Sequence, residues 1–494
     1  MITSPSRRGL ALGLRLCAVS MLALALAGCV VGPNYQAPGL KLPTHWNADK
    51  NKKNAEKPQL TEWWRQMNDP LLDHMVEHAV ASNLDVASAK ARIREARATY
   101  RQTTGALYPT VSGSSSATRS KATSSGETTI ANSIQGGFDA SWEIDLFGAN
   151  RRASEAALYS AQAADEDLRD TLVTLIGDVT SYYVQAREYQ ALIALASRTA
   201  RSQNSTASLT RAKLEAGNAT GLDTATADAQ AASTQADVPT YRISYAESVN
   251  RLAVLLASPA SQIEAQLKDK PGKIPSPKLV AKVGIPADVL NSRPDIRLAE
   301  RQLAQYTAKI GAAEAARYPS ISLTGNIATS AANLADLGNK STISWSLGPS
   351  VSVPIFQGGQ LKAAVDVAKA QRDQYYIAYQ SSVLSAMEDV ENAVVALTQS
   401  RDRRAKLATS VAHYRKAAEL SQSLNQEGST DLLDVLETQR SLYSAESNLI
   451  QSQASIATYY IALHKALGGG WSGALDVETP EAVDLVTHPR IASH

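Results

Sequence analysis

The sequence is short of cysteine, phenylalanine, net charge and long apolar runs, and each shortage removes a class of protein. It holds two Cys in 494 residues. Cys17 lies inside an N-terminal apolar stretch, so once that stretch is removed only Cys29 remains and the chain can form no internal disulfide. The formal charge of +2 becomes −1 when residues 1–28 go, because they carry Arg7, Arg8 and Arg15 and no acid. A near-neutral chain has no electrostatic footprint for nucleic acid. Beyond residue 28 no apolar run approaches the roughly 20 residues of a membrane helix, so a membrane could be crossed only as a barrel. Aromatic residues make up 5%, and the three Phe are Phe138, Phe147 and Phe356. Hydrophobic content of 44% and charged content of 19% are nevertheless those of a folded chain.

The N-terminus reads as an export signal over residues 1–28. Arg7 and Arg8 precede an apolar stretch from Leu16 to Ala27, too short to span a bilayer. It ends in Leu26-Ala27-Gly28-Cys29, which resembles the lipobox of bacterial lipoproteins. That likeness implies cleavage before Cys29, a diacylglyceryl group on its thiol, palmitate on the mature terminus, and a lipid-anchored extension over 29–82. The alternative is an ordinary signal with an incidental Cys.

The rest of the chain is written twice at an offset near 210 residues. Asp85-Val86 matches Asp295-Ile296, and Tyr108-Pro109-Thr110-Val111 matches Tyr318-Pro319-Ser320-Ile321. Asp145-Leu146-Phe147 recurs as Pro354-Ile355-Phe356, and Gly217 with Leu222-Asp223 as Gly428 with Leu433-Asp434. Four such pairs in order imply duplication: repeat 1 over 83–258 and repeat 2 over 294–468. Between them 259–293, with five Pro, reads as an extended linker, and 469–494 as a C-terminal tail.

Each repeat opens with a Pro-free helical segment (83–107, 294–317) closed by Tyr-Pro, since the residue before Pro is driven from the α region. Period-two alternation follows, over 110–122, 130–146, 319–328 and 341–355. In 341–355, Ile343, Trp345, Leu347, Val351, Val353 and Ile355 alternate with small or polar residues. Such strands have one apolar and one polar face. A half-buried soluble sheet would show the same alternation. Gathering all three Phe with Trp142 and Trp345 on these segments favours a lipid-facing band instead.

Then come two Pro-free intervals of equal length, 69 residues from Gly148 to Gly217 and from Gly359 to Gly428. At 1.5 Å per residue each makes a helix on the order of 100 Å long. After each Gly a second helical stretch returns, with Pro239 expected to kink or interrupt the first. One long helix beside two shorter ones makes a hairpin, and Ala-rich faces suit packing in a coiled-coil-like layer. Four strands cannot close a barrel, but three copies supply twelve, an even number in the range of closed barrels. The expected fold class is thus an α+β membrane protein whose three protomers, with four strands each, close one homotrimeric 12-stranded β-barrel.

With these elements placed, the chain resembles the outer membrane factor family, the TolC-like channels, in the lipoprotein branch of OprM- and NodT-type efflux proteins. The residues carrying this are Arg293-Pro294-Asp295-Ile296 with Ala299-Glu300, Ile310-Gly311, and Tyr318-Pro319-Ser320-Ile321-Ser322-Leu323. Gly348 to Phe356 with Gly358-Gly359, Ala466 to Trp471, and Ser141 to Gly148 complete them. Ser292 departs from a second Arg usual in the family. The resemblance implies that the barrel continues as a long periplasmic α-helical barrel of coiled-coil-like hairpins, and that the whole is an outer-membrane efflux conduit of a Gram-negative bacterium, not an enzyme and without cofactor. The partners it implies are a periplasmic adaptor, an inner-membrane transporter of RND type and outer-membrane lipid. Val30 follows Cys29 where lipoproteins kept in the inner membrane often have Asp.

Two further sites follow. Gly217 and Gly428 mark the hairpin tips, which in the resembling family dock the adaptor; a surface turn without a partner is the plain alternative. Leu433, Glu437 and Arg440 share one helix face beyond the second tip and would be brought together threefold as a gate. The branch has Leu and Asp at the first two positions, so Glu437 is one methylene longer. The alternative is that Glu437 and Arg440 only pair along or between helices, as exposed charges commonly do.

Rival signals are weaker. His74-Met75-Val76-Glu77-His78 matches H-x-x-E-H of one zinc-peptidase class, but no catalytic domain surrounds it. Gly468, Gly470 and Gly473 match G-x-G-x-x-G at the end of a helix, where a helix-terminating run is the simpler reading. An adaptor would have one hairpin and small soluble β-domains, and a plain coiled coil would lack the strands. Five Met and one mature Cys offer few soft-metal ligands, which tilts the cargo toward organic compounds.

Overall fold

A computed structural model of the chain describes residues 30–39, 60–269, 273–277 and 292–479. Cys29, the signal segment and the tail beyond residue 479 lie outside these. After a short 3-10 turn at Trp63–Met67 come α1 (Pro70–Ser82), α2 (Leu84–Gly105), β1 (Thr110–Ser124), β2 (Glu127–Ile144), α3 (Ala149–Glu215) and α4 (Gly221–Leu255). Then α5 (Ala260–Asp269), α6 (Pro294–Ala315), β3 (Ser320–Ala331), β4 (Ile343–Ser352), α7 (Gln360–Gln426) and α8 (Leu432–Ala466) follow. The duplication is visible in the lengths. The opening helices α2 and α6 both have 22 residues, the long helices α3 and α7 both 67, and the returning helices α4 and α8 both 35.

The chain divides into two compact units. One gathers residues 30–39, Ile93–Ala164 and Leu298–Gln380, and holds the antiparallel sheet in the order β1-β2-β3-β4. The register places Gly113 opposite Phe138, Phe138 opposite Ile327, and Ile327 opposite Trp345. Because side chains alternate faces, that row and every second row beside it share one side of the sheet.

The other unit gathers residues 60–92, Asp165–Arg297 and Ser381 onward. Its core runs along α3, where Ile176, Val179, Tyr183 and Ala186 recur at helical spacing and are fully buried. Trp63 and Trp64 close one end: Trp63 stacks on His464 with centroids 5.1 Å apart, and Trp64 on Trp471 at 6.1 Å. Both indoles are buried, and truncation of such a residue to Ala costs about 3–5 kcal/mol.

Within this unit each returning helix meets the start of its repeat's opening helix through one side chain. Asn83 accepts from the Asp85 and Val86 amides at the head of α2 and donates to the Leu255 carbonyl at the end of α4, 2.9 Å away. In the second repeat Arg293 donates to the Ala466 carbonyl at 2.6 Å, so the same junction is made by a different residue. Helix ends leave carbonyls unpaired, and these two side chains satisfy one each.

Three expectations are corrected. Pro239 does not interrupt α4, which is continuous from Gly221 to Leu255. Its ring is solvent-exposed, and the neighbouring turns hold the helix through the one missing amide. The 259–293 segment is not extended throughout, because α5 fills 260–269 and buries Ile263 and Leu267. Pro259 just precedes that helix and its carbonyl accepts from Gln262 at 3.0 Å, a position where a missing amide is harmless. Finally, β2 and β4 end early, while β1 and β3 run a few residues past the expected ends. β4 stops at Ser352 ahead of Pro354, which cannot donate to a ladder, and Ile355 and Phe356 lie outside it. Phe147 also lies past β2 and stacks on Tyr318 at 4.8 Å, so Phe138 is the only Phe on a strand.

Candidate functional site

The sheet has two chemically distinct faces. On one, Ile144, Ile321 and Val351 form the row next to the helices, followed by Trp142, Leu323 and Pro349, then Ala140, Gly325 and Leu347. The row of Phe138, Ile327 and Trp345 and those up to Ile134 with Ala331 extend this apolar surface, in which Ser115 and Thr329 of the Gly136 row are small neutral interruptions. The opposite face carries Ser112, Asp139, Asn326 and Ser346 in one row, with Asn326 donating to Asp139 at 3.2 Å. Phe138 is 63% and Trp345 75% exposed, and contiguous exposed apolar side chains of this kind are rare on soluble monomers and mark interaction or membrane surfaces.

The strand-to-helix junction pins the residues following Cys29. The Val31 amide donates to the Phe147 carbonyl at 3.1 Å. Arg152, buried at the start of α3, donates to the carbonyls of Val31 and Gly32, to Asn34 at 2.7 Å and to Glu155. Tyr35 donates to Glu300, which also pairs with Arg301; burial and that carboxylate push the Tyr35 hydroxyl far above its usual range. The Ile310-Gly311 motif has its reason here. A side chain at Gly32 would come within 2.4 Å of the Gly311 backbone, and one at Gly311 within 2.8 Å of Arg152. The approach is open only to glycine.

The two tips are built alike. Gly217 and Gly428 sit at φ +77° and +74°, in the left-handed region. Past α3 the Asn218 amide donates to the Lys213 carbonyl at 2.7 Å, and past α7 the Ser429 amide to that of Leu424 at 2.8 Å, which closes both helices with their last carbonyls satisfied. Thr220 and Asp223 then form a capping box that starts α4. Lys213 donates to the Asn425 side chain at 3.1 Å, tying the two tips together. No atom outside the local backbone approaches either Gly, so both turns are open to solvent.

Just beyond the second tip, α8 divides into two faces. Leu432 and Leu436 pack on Ala207 and Ala227, while Leu433 is 68% exposed on the other side. Glu437 and Arg440 share this open face and form an ion pair, with Ser441 donating to Glu437 at 3.4 Å. The structure thus brings Leu433, Glu437 and Arg440 to one exposed strip and pairs the two charges within the protomer.

The rival motifs have local partners. Glu77 pairs with Arg65 at 3.1 Å, His78 contacts Ser82, and the His74 and His78 rings stack. Gly468 and Gly469 close α8 through bonds to the Lys465 and His464 carbonyls. The Asn83 junction escaped the sequence reading, because a lone Asn carries no signal until the helix end it serves is in place.

The family model described as outer membrane efflux protein matches residues 75–258 and 285–469, one stretch for each repeat. Nodulation protein T of Rhizobium leguminosarum bv. trifolii is 36% identical over 452 residues, covering 91% of this chain and 96% of that one. The toluene efflux pump outer membrane protein TtgI of Pseudomonas putida is 32% identical over 468 residues, covering 91% and 97%. Among solved structures, the outer-membrane channel OprN superposes with a TM-score of 0.84 at 32% identity, over 90% of this chain and all of that one. The chain belongs to the outer membrane efflux protein family and is an outer-membrane efflux channel.

Proposed function

We propose that three copies close the sheet into a twelve-stranded barrel and the helical hairpins into a periplasmic tunnel, gated where Leu433, Glu437 and Arg440 of each copy converge. The observation that carries the proposal is the largely apolar, uncharged face from Ile144 to Ile134 on a sheet whose other face is polar. One protomer cannot cover it, and an even-stranded closed barrel in lipid does. The conduit performs no chemistry of its own. A periplasmic adaptor meets the tips at Gly217 and Gly428, and an inner-membrane transporter of RND type delivers the cargo. Small organic molecules are favoured as cargo by the scarcity of Met and Cys and by the name of the TtgI relative. Cys29 carries the acyl chains, and the residues that follow it, 31–35, are pinned at the strand-to-helix junction.

At the gate, three copies of Leu433 close the bore by apolar contact, and three of Glu437 favour cations. The Glu437–Arg440 pair is exposed and its attraction modest, so it leaves the carboxylate available to a passing ion. Single-channel recording in planar bilayers tests this. Leu433→Ala with Glu437→Ala should raise conductance and weaken cation selectivity, whereas traces identical to the parent would move the gate elsewhere.

A further inference from the structure

The apolar face of the sheet carries charge at one place. Following the register from the helix end, the rows from Ile144 to Ile134 span ten residues of β2 without a charged side chain on that face. At about 3.4 Å per residue and a tilt near 40°, ten residues rise roughly 25 Å, the height of the apolar band of an outer-membrane barrel. One row further, Arg119 stands opposite Asn132, and the next row pairs Lys121 with Ile130. Both cations alternate on the same side of β1 as Val111 and Gly113, so they rim the apolar face at its far end. The acids of the sheet lie on the other face, where Glu127, Asp139 and Glu143 occupy the opposite parity of β2.

Arg119 and Lys121 are exposed, and neither forms an ion pair or side-chain hydrogen bond with any described residue. They are two residues apart on one strand face, so their charged ends reach a common ligand. Sheet rims need no such segregation for solubility, because cations on either face would be hydrated equally well. A surface that is apolar for the thickness of the bilayer core and then cationic is complementary to a lipid that is apolar and then anionic.

We propose that Arg119 and Lys121 form a binding site for the phosphates of the phosphorylated glycolipid in the outer leaflet, with its acyl chains lying along the Phe138–Trp345 rows. The site rests on the reading that the apolar face meets lipid. A basic residue at a membrane surface contributes about fivefold in affinity to an anionic lipid, so the pair contributes about thirtyfold. Arg119 supplies a planar fork that matches phosphate, and Lys121 a second point charge.

Native mass spectrometry on the full chain in detergent, titrated with bisphosphorylated lipid A or with its dephosphorylated form, reads the preference directly. The unaltered protein should favour the phosphorylated lipid about thirtyfold, and R119Q with K121Q should lose that preference. Asp139→Asn, on the opposite face, should keep it. Phosphatidylglycerol competing as well as lipid A would overturn the assignment to the outer-leaflet glycolipid, and a preference unchanged in the double variant would overturn the site. Quenching of tryptophan fluorescence by brominated lipid separates the two levels of the argument. Quenching in both proteins with an unchanged preference sinks the site alone, whereas no quenching in the unaltered protein sinks the lipid-facing reading beneath it.

Discussion

His464 is 6% exposed near the end of α8, stacked on Trp63 and with Nδ1 3.0 Å from the Tyr460 carbonyl. Burial disfavours the imidazolium and pushes its pKa down to about 4 from 6.5. Below pH 6.5 the unfolded chain therefore takes up a proton that the folded chain refuses, so stability falls as pH drops toward about 4 and levels off beneath it. Two pH units of this kind are worth on the order of 2 kcal/mol. His464→Gln keeps a polar side chain near Tyr460 and does not titrate. Urea midpoints of the parent and this variant, compared at pH 7.5 and 4.5, should differ in their pH dependence by about that amount. Parallel curves would mean that His464 ionises without resistance in the fold. Nothing in the sequence marks this residue. His464 follows Tyr460 by one helical turn, as many surface residues do, and its burial depends on a Trp four hundred residues earlier.

The helical hairpins were more legible. Two Pro-free intervals ending in Gly predicted two long helices, and α3 and α7 are both 67 residues long. The turns obey local rules, since a left-handed residue after a helix selects Gly wherever the chain reverses. Gly428→Trp tests what the turn is for. A Cβ there meets no atom within 4 Å and the turn is exposed, so the main cost is the left-handed backbone, about 1–2 kcal/mol, and the fold should survive it. Trimers should form in normal yield while efflux, read as the minimal inhibitory concentration of a toxic compound, is lost through the blocked adaptor contact. Unchanged resistance would refute docking at this tip. The unbroken α4 at Pro239 and the helix at the start of the 259–293 segment depart from expectation for related reasons. The consequence of a Pro depends on whether its own amide is needed: inside α4 the neighbouring turns hold the helix past Pro239, and Pro259 precedes α5, whose first amides have no helical partner to lose.

At the scale of the molecule, two anchors are proposed, the barrel and the acyl chains on Cys29. A single set of chains contributes marginal, reversible binding, whereas a twelve-stranded barrel is held by its whole apolar band. Cys29→Ser, exported by an unlipidated signal, should therefore still form heat-resistant trimers in the outer membrane. Mass spectrometry of the parent should find Cys29 first in the mature chain and acylated. An unmodified Cys29, or trimers lost with the lipid, would sink this division of roles.

Period and length were determined by the sequence alone. Alternation by two, helices without Pro and a 210-residue offset are local regularities, each set by backbone sterics and by which face meets solvent. The strand register was decided only in the tertiary structure, because pairing Gly113 with Phe138 and Phe138 with Ile327 is a relation between segments up to two hundred residues apart. So were the use of Asn83 and Arg293 to finish distant helix ends and the glycine contact of Gly32 with Gly311. A hydrogen bond or a close approach belongs to two places in the chain at once, and a linear pattern describes one place at a time.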